Sequence, residues 1–427
     1  MFSYFSKDNN LGTLSMWLLI ITCFGYPITA VPIAMSALPS TPINMSLKAI
    51  YCAVAIFIII ISIYKKNLHF SKTAYFLILF WVIYSIRLVY DISILDIRLA
   101  KGSGNSETNP NTAFYIYSYF FMSSIIPALA IMISTKLIDL AKLTGNLIFV
   151  LAVANVEVAL YLYQNIAMAG KDLFLERANI YSQVDDGPEG IVLNTILIGY
   201  IGQQLAVNSL GRVLVIKGES IFKKLLLVGF IVLGIFNIVV AASRSPFLSL
   251  AVLVLILIFY NFRFQAKAVR YWLSASVVVF FISILTIVYI MPFIENNDLA
   301  IINRLIEFQS DRSSGGKEYR DFAYASALND FFDSPIFGKQ YVGTYDNFYP
   351  HNVILEALMA TGVVGFLVFL VAIFAFIFKA FQALQPGKKY LFLCLLFVLP
   401  KFAISLSSGC LFIDPEFWIL FGFFISI

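Results

Sequence analysis

Charge is what this sequence has least of. Of its 427 residues only 12% are charged while 60% are hydrophobic, and the mean hydropathy is +0.88. A chain surrounded by water carries about 25% charged residues, so this one cannot cover itself with polar surface, and lipid must be its main solvent. Short alternating segments, which a membrane β-barrel needs, are also missing. There are four cysteines, Cys23, Cys52, Cys394 and Cys410, all in or beside apolar runs and without metal-ligand spacing. That argues against a disulfide framework or a zinc centre. No glycine-rich phosphate loop, aspartate-rich pair or internal repeat of 20–50 residues occurs, which removes support for ATP hydrolysis and for metal-dependent transfer. The formal charge of +5 has no clustered basic tail that would suggest nucleic acid.

What is present is a series of apolar runs long enough to cross a bilayer core, which takes about 20 helical residues. They predict an all-α, polytopic transmembrane bundle of about twelve helices in one integral membrane domain, 1–427. The helices are expected near 13–37, 45–64, 73–92, 113–135, 145–167, 189–208, 225–242, 246–261, 272–294, 354–378, 389–407 and 410–426. The first run is too long for a signal-peptide core and is expected to be retained. Lys65, Lys66 and Lys72, Lys136 and Lys142, Arg212, Lys217, Lys223 and Lys224, Arg263, Lys267 and Arg270, and Lys379, Lys388 and Lys389 fill every second short loop. Basic residues mark the cytoplasmic side, so both termini are expected there. One large loop, 295–351, then faces outward. Within it Lys317 to Phe332 reads as an amphipathic helix, with Phe322, Ala325, Leu328 and Phe332 on one stripe, ended by Ser334-Pro335 and Gly338.

The polar residues on the outer side are few. Two histidines occur. His69 lies in a basic loop, whereas His351 follows Tyr349-Pro350 where the large loop re-enters the membrane, with Asn352 beside it and Glu356 about a turn further on. A neutral imidazole there can accept a proton from a hydroxyl; it can equally anchor a helix at the interface. Arg177, Arg244 and Arg320 share that side. Arg244 sits in the tight turn Ser243-Arg244-Ser245-Pro246, against the positive-inside tendency and at a cost near lipid. Phosphate suits its planar fork, although headgroup snorkelling remains the alternative for each arginine. Arg304 and Arg312 widen the basic field. Arg87 and Asp91, four residues apart, read as an intrahelical pair. Lys401, Asp414 and Glu416 read as lining a polar cavity, and Asp185, Asp186 and Glu189 as favouring a helix N-terminus.

On these residues the chain resembles the bacterial O-antigen polymerase and O-antigen ligase superfamily. The resemblance rests on His351-Asn352 followed by Gly362-Val363-Val364-Gly365, on Arg320 through Gly338 with its Pro-x-x-Gly ending, and on the Ser-Arg-Ser-Pro turn. It covers about 225–380 best. It implies an inner-membrane glycosyltransferase acting at the periplasmic face without metal or cofactor, on undecaprenyl-diphosphate-linked oligosaccharide in membrane lipid. His351, Arg244 and Arg320 would be catalytic. Arg177 would join the arginines on the diphosphate, and Asp414 corresponds to a late acidic position of the family. Arg304, Arg312, Tyr319, Asn352 and Glu356 are, from their place in this sequence, further candidates to contact diphosphate or glycan. The expected activity is a polymerase joining repeat units, with a chain-length regulator as a partner. The alternatives are a ligase acting on lipid A–core, and, against the one-sided placement of the charges, a transporter of the lipid-linked unit.

Overall fold

A computed structural model describes residues 8–36, 40–66, 70–100, 108, 111–164, 179–181, 191–264 and 319–427. Arg177, Arg304, Arg312, His69, Asp185, Asp186, Glu189 and the expected helix 272–294 lie outside the described residues, as does the side chain of Tyr319.

The described chain is a helical bundle. Its helices are α1 (Asp8–Met35), α2 (Ser40–Tyr64), α3 (Lys72–Val89), α4 (Thr112–Leu137), α5 (Leu140–Leu162), α6 (Thr195–Val215), α7 (Ile221–Ala241), α8 (Arg244–Phe264), α9 (Tyr319–Asp333), α10 (Val353–Ala383), α11 (Lys389–Ser408) and α12 (Pro415–Ser426). Nine of these are long and apolar enough to cross a membrane, so the protein is a multi-pass membrane protein. Most of the sequence-predicted spans coincide with observed helices. Those that differ do so for physical reasons. The expected helix at 189–208 forms six residues later, as α6, because Asn194 caps it by accepting from the Leu197 amide at 2.9 Å. The expected helix at 410–426 begins only at Pro415, where Asp414 accepts from the Phe417 amide at 3.2 Å. A two-stranded antiparallel ladder, β1 (Ile180–Tyr181) with β2 (Ile191–Leu193), interrupts the all-helical expectation. It is held to α1 by the Tyr26 hydroxyl donating to Val192 O at 2.7 Å.

α6 explains how a bundle in lipid holds together. It carries Gln203, Gln204 and Asn208, all buried, and such groups must be satisfied by neighbouring helices when water is absent. Gln204 donates to the Tyr200 hydroxyl and to Phe397 O of α11, each at 2.8 Å. Asn155 of α5 donates to Ile201 O at 3.0 Å and accepts from Asn237 of α7 at 2.7 Å. Conversely, α2, α7 and α8 present Ile63, Leu225, Val232, Leu248 and Leu255 outward, the exposure expected of lipid-facing sides.

The two ends of the bundle differ. At one end Ser71 and Thr73 meet Ile425 O, Arg212 pairs with Glu219 at 2.7 Å, and Gly145 lies beside the Arg212 guanidinium. This is the end of the basic loops. α10 and α11 both run between it and the other end, where His351, Arg320 and Ser408 lie.

Candidate functional site

The expected amphipathic helix forms as α9, with Ala323, Ala327 and Asp330 buried and Phe322, Leu328 and Phe332 exposed on the stripe read from the sequence. Its end is fixed electrostatically. Lys339 reaches back to Asp333 at 2.8 Å and Asp330 at 2.9 Å, and these carboxylates raise its pKa, Asp333 first. Asp330 also takes the Thr344 hydroxyl and amide. Arg320 is thereby carried on an element anchored at its far end.

The Pro-x-x-Gly segment after α9 and the Gly-Val-Val-Gly of α10 form one interlock. α10 is broken at Gly362, whose φ of 59° and ψ of −164° are not helical and belong to a region open essentially only to glycine. The break frees backbone groups, and Pro335 to Lys339 satisfies them. Val363 N donates to Pro335 O at 2.8 Å, Val364 N to Ile336 O at 3.2 Å, and Lys339 N to Met359 O at 2.9 Å. A Cβ on Gly338 would collide with the Ala360 carbonyl, and one on Gly362 would lie 2.5 Å from the Ile336 carbonyl.

Arg87 closes this interlock. Beyond its pair with Asp91 at 3.1 Å, it donates to Ala360 O at 3.0 Å, Lys339 O at 2.9 Å, Phe337 O at 3.0 Å and Gly338 O at 2.7 Å. Asp91 in turn accepts from Tyr341 N at 2.8 Å. Sequence reasoning found the pair and missed the four carbonyls. The signal was present, since an arginine inside a span is expensive unless something in the protein consumes it.

His351 lies between this interlock and a second fixed loop. It has φ of 57°, unusual for a side-chain-bearing residue, and Tyr349 meets it edge-on with ring centroids 4.6 Å apart. Asn352 next to it caps α10, accepting from Ile354 N at 2.9 Å and Leu355 N at 3.2 Å, so its carbonyl oxygen is engaged by the backbone. Glu356 is fully buried. Its carboxylate accepts from the Tyr84 hydroxyl at 2.5 Å and from Leu411 N at 2.9 Å. It therefore tethers loop 409–414, which Trp418 also holds by donating to Leu411 O at 2.6 Å. Phe412 of that loop stands 6.0 Å from Tyr349, edge to face. Asp414 pairs with Lys401 at 2.8 Å, and Lys401 reaches Glu416 at 3.5 Å. The polar cluster read from the sequence exists, with its charges turned largely on one another.

Arg320 and the start of α8 meet at the end of α11. Arg320 donates to Ser408 at 3.4 Å, and Ser245, beside Arg244, lies 3.5 Å from Ser407. The starts of α8 and α9, distant in sequence, are thus held on adjacent residues of one helix end. Arg320 also acts on His351. Burial, and then the Arg320 charge, push the imidazole down to about 4. It is neutral at pH 7, and a bound anion that cancels Arg320 would return it toward its ordinary value. The arrangement can bind a diphosphate beside a proton acceptor.

Residues 229–370 match the family model described as O-antigen ligase. This match supports the resemblance to the O-antigen polymerase and ligase superfamily over that segment. No curated protein matches the chain. The O-antigen ligase segment contains Arg244, Arg320, His351 and both halves of the Gly338–Gly362 interlock. Arg87, Ser408 and Asp414, which complete the arrangement, lie outside it. The match supports glycosyl transfer of O-antigen ligase or polymerase type, with a lipid-linked glycan as partner.

Proposed function

We propose that the protein is an O-antigen or related surface-polysaccharide polymerase. It joins repeat units carried on undecaprenyl diphosphate at the periplasmic face of the bacterial inner membrane. What supports this reading is Arg320 on Ser408, Ser245 beside Arg244 on Ser407, and the Arg320 charge acting on His351, at the end of the bundle away from the basic loops. Arg320 and Arg244 hold the donor diphosphate. His351 accepts the proton of the acceptor hydroxyl as that oxygen bonds to the anomeric carbon. The carbon–oxygen bond to phosphate breaks, its electron pair leaves with undecaprenyl diphosphate, and the arginines stabilise the charge that collects there. Diphosphate is a good leaving group once neutralised, so the cations carry more of the barrier than an acid would. Arg177, Arg304, Arg312 and Tyr319 belong to the same proposed binding surface. Asn352, Glu356 and Asp414 act on it through the backbone and loop they hold.

Transfer to lipid A–core by a ligase uses the same chemistry and is the second reading, favoured by the family model's description. A deletion strain separates the two. Lipopolysaccharide capped by a single repeat indicates a polymerase, whereas bare core with accumulated lipid-linked polymer indicates a ligase. Purified protein that neither lengthens nor transfers a lipid-linked oligosaccharide would overturn both and favour transport.

A further inference from the structure

A lysine sits inside the bundle where its charge has no acceptor among the described residues. Lys48 of α2 is 7% exposed, and among the described residues its ammonium has no hydrogen-bond partner. Instead it lies 3.0 Å from the centroid of the Tyr119 ring. Tyr51, on the same face of α2 one turn further, buries a hydroxyl that also lacks a partner among those residues. An ammonium can rest on an aromatic face, but burial away from any acceptor is costly for a charge, and an ionisable group inside a span marks a functional site by default.

The surroundings say which kind of ligand completes it. Tyr119 lies in a π-helical stretch of α4, Ser118–Ile125, a widened turn frequent at functional sites. Its ring is 4.7 Å from that of Tyr115, and Tyr115 is within electrostatic reach of Tyr349 and Cys410. Tyr349 is the residue that meets His351 edge-on. From His351, then, the field of Arg320 leads to Ser408 and α11, and Tyr349, within electrostatic reach of Tyr115, leads to Tyr119 and Lys48. Among the described residues no carboxylate partners Lys48, in contrast to Lys401 with its two.

We propose that Lys48, with Tyr119 and Tyr51, binds the diphosphate of a second lipid-linked glycan, the acceptor, while the arginines hold the donor. This rests on the glycosyl-transfer reading of the site. The lysine's flexible stem lets the ammonium leave the ring for an incoming oxyanion. The tyrosine hydroxyls add donors, and the membrane-embedded position suits a headgroup whose tail stays in lipid. A polymerase must bring two such headgroups to one imidazole, and a cation on a separate wall from the arginines meets that need without crowding the two anions.

The test counts bound undecaprenyl diphosphate on the purified full chain by native mass spectrometry. Parallel arms use inorganic pyrophosphate and phosphatidylglycerol. The wild type is expected to take two equivalents of the diphosphate lipid. Lys48→Met, which keeps the stem's volume and is checked for an unchanged Tm, is expected to take one; Lys48→Arg two; Arg320→Ala one. One equivalent on the wild type, two on Lys48→Met, or equal occupancy by phosphatidylglycerol each overturns the proposal. Should Lys48→Met be too unstable to purify, one equivalent on Lys48→Arg serves as the overturning result. An oligosaccharide-transfer assay on the same preparations keeps the two readings apart. Absence of transfer with two sites filled counts against the enzyme reading alone, and transfer with an unaltered count counts against this one alone.

Discussion

Arg87 and Arg320 are both arginines at the same end of a membrane bundle, and they are used in opposite ways. Arg87 spends its guanidinium on one carboxylate and four backbone carbonyls. Arg320, among the described residues, has one hydrogen bond, to a serine hydroxyl at 3.4 Å, and its charge is still felt at His351. A cation consumed by the protein holds a loop, whereas a cation matched only by a weak neutral partner keeps its field for a substrate. In a low-dielectric setting that difference, more than the residue type, separates a fastener from a binding group.

The largest expected effects test this contrast directly. Arg87→Ala leaves Asp91 buried without its partner, which costs about 3–5 kcal/mol, and it strands four carbonyls besides. It is expected to lower Tm steeply, with loss of transfer following from loss of fold. Arg320→Ala and His351→Ala are expected to reduce transfer by about 10²–10³-fold at unchanged Tm. A stable, active Arg87→Ala protein, or an Arg320→Ala protein that unfolds, would reverse the assignment.

Next in size is Gly362→Ala. The backbone region alone costs about 1–3 kcal/mol, and the Ile336 carbonyl stands in the way. Lower Tm together with weakened transfer is expected, because the break seats Pro335–Lys339, the segment that follows the Arg320-bearing α9. Glu356→Ala should cost about 1–3 kcal/mol through the Tyr84 hydroxyl and Leu411 amide it strands. Glu356→Gln keeps one acceptor oxygen for the Tyr84 hydroxyl or the Leu411 amide but turns a donor NH2 on the other, so it should recover only part of that, as read in a denaturation series.

The smallest effect is in pH dependence. His351 has a folded pKa of about 4, below its ordinary 6.5. The unfolded chain therefore binds more protons between those values. Its contribution to stability is complete above pH 6.5 and lost as pH falls toward 4, so His351→Gln should flatten the Tm profile in that window. An unchanged profile would show that the imidazole is not held neutral by burial and Arg320.

Hydropathy and loop charge made the bundle legible, because lipid imposes one strong rule on every span. The amphipathic α9 and the Ser-Pro…Gly that ends it were legible for a similar reason: their signals are local. The role of Arg87 was not, since its partners are carbonyls 250 to 273 residues away and carbonyls have no sequence signature. Asn352 and Glu356 were read as substrate contacts from their closeness to His351. The structure shows Asn352 engaged with the α10 amides and Glu356 with Tyr84 and loop 409–414. Lys48 was overlooked because a single lysine in an apolar run looks like an exception to hydropathy.

The seating of Pro335–Lys339 in the break of α10 bears on how this machinery can be re-engineered. A graft that moves only the outer loop between relatives would bring a ridge with no slot, and one that moves only the α10 segment a slot with no ridge. Chimeras meant to exchange glycan preference should keep 334–339 and 359–364 from a single parent, together with an arginine at 87 to bolt them, and vary the sequence elsewhere.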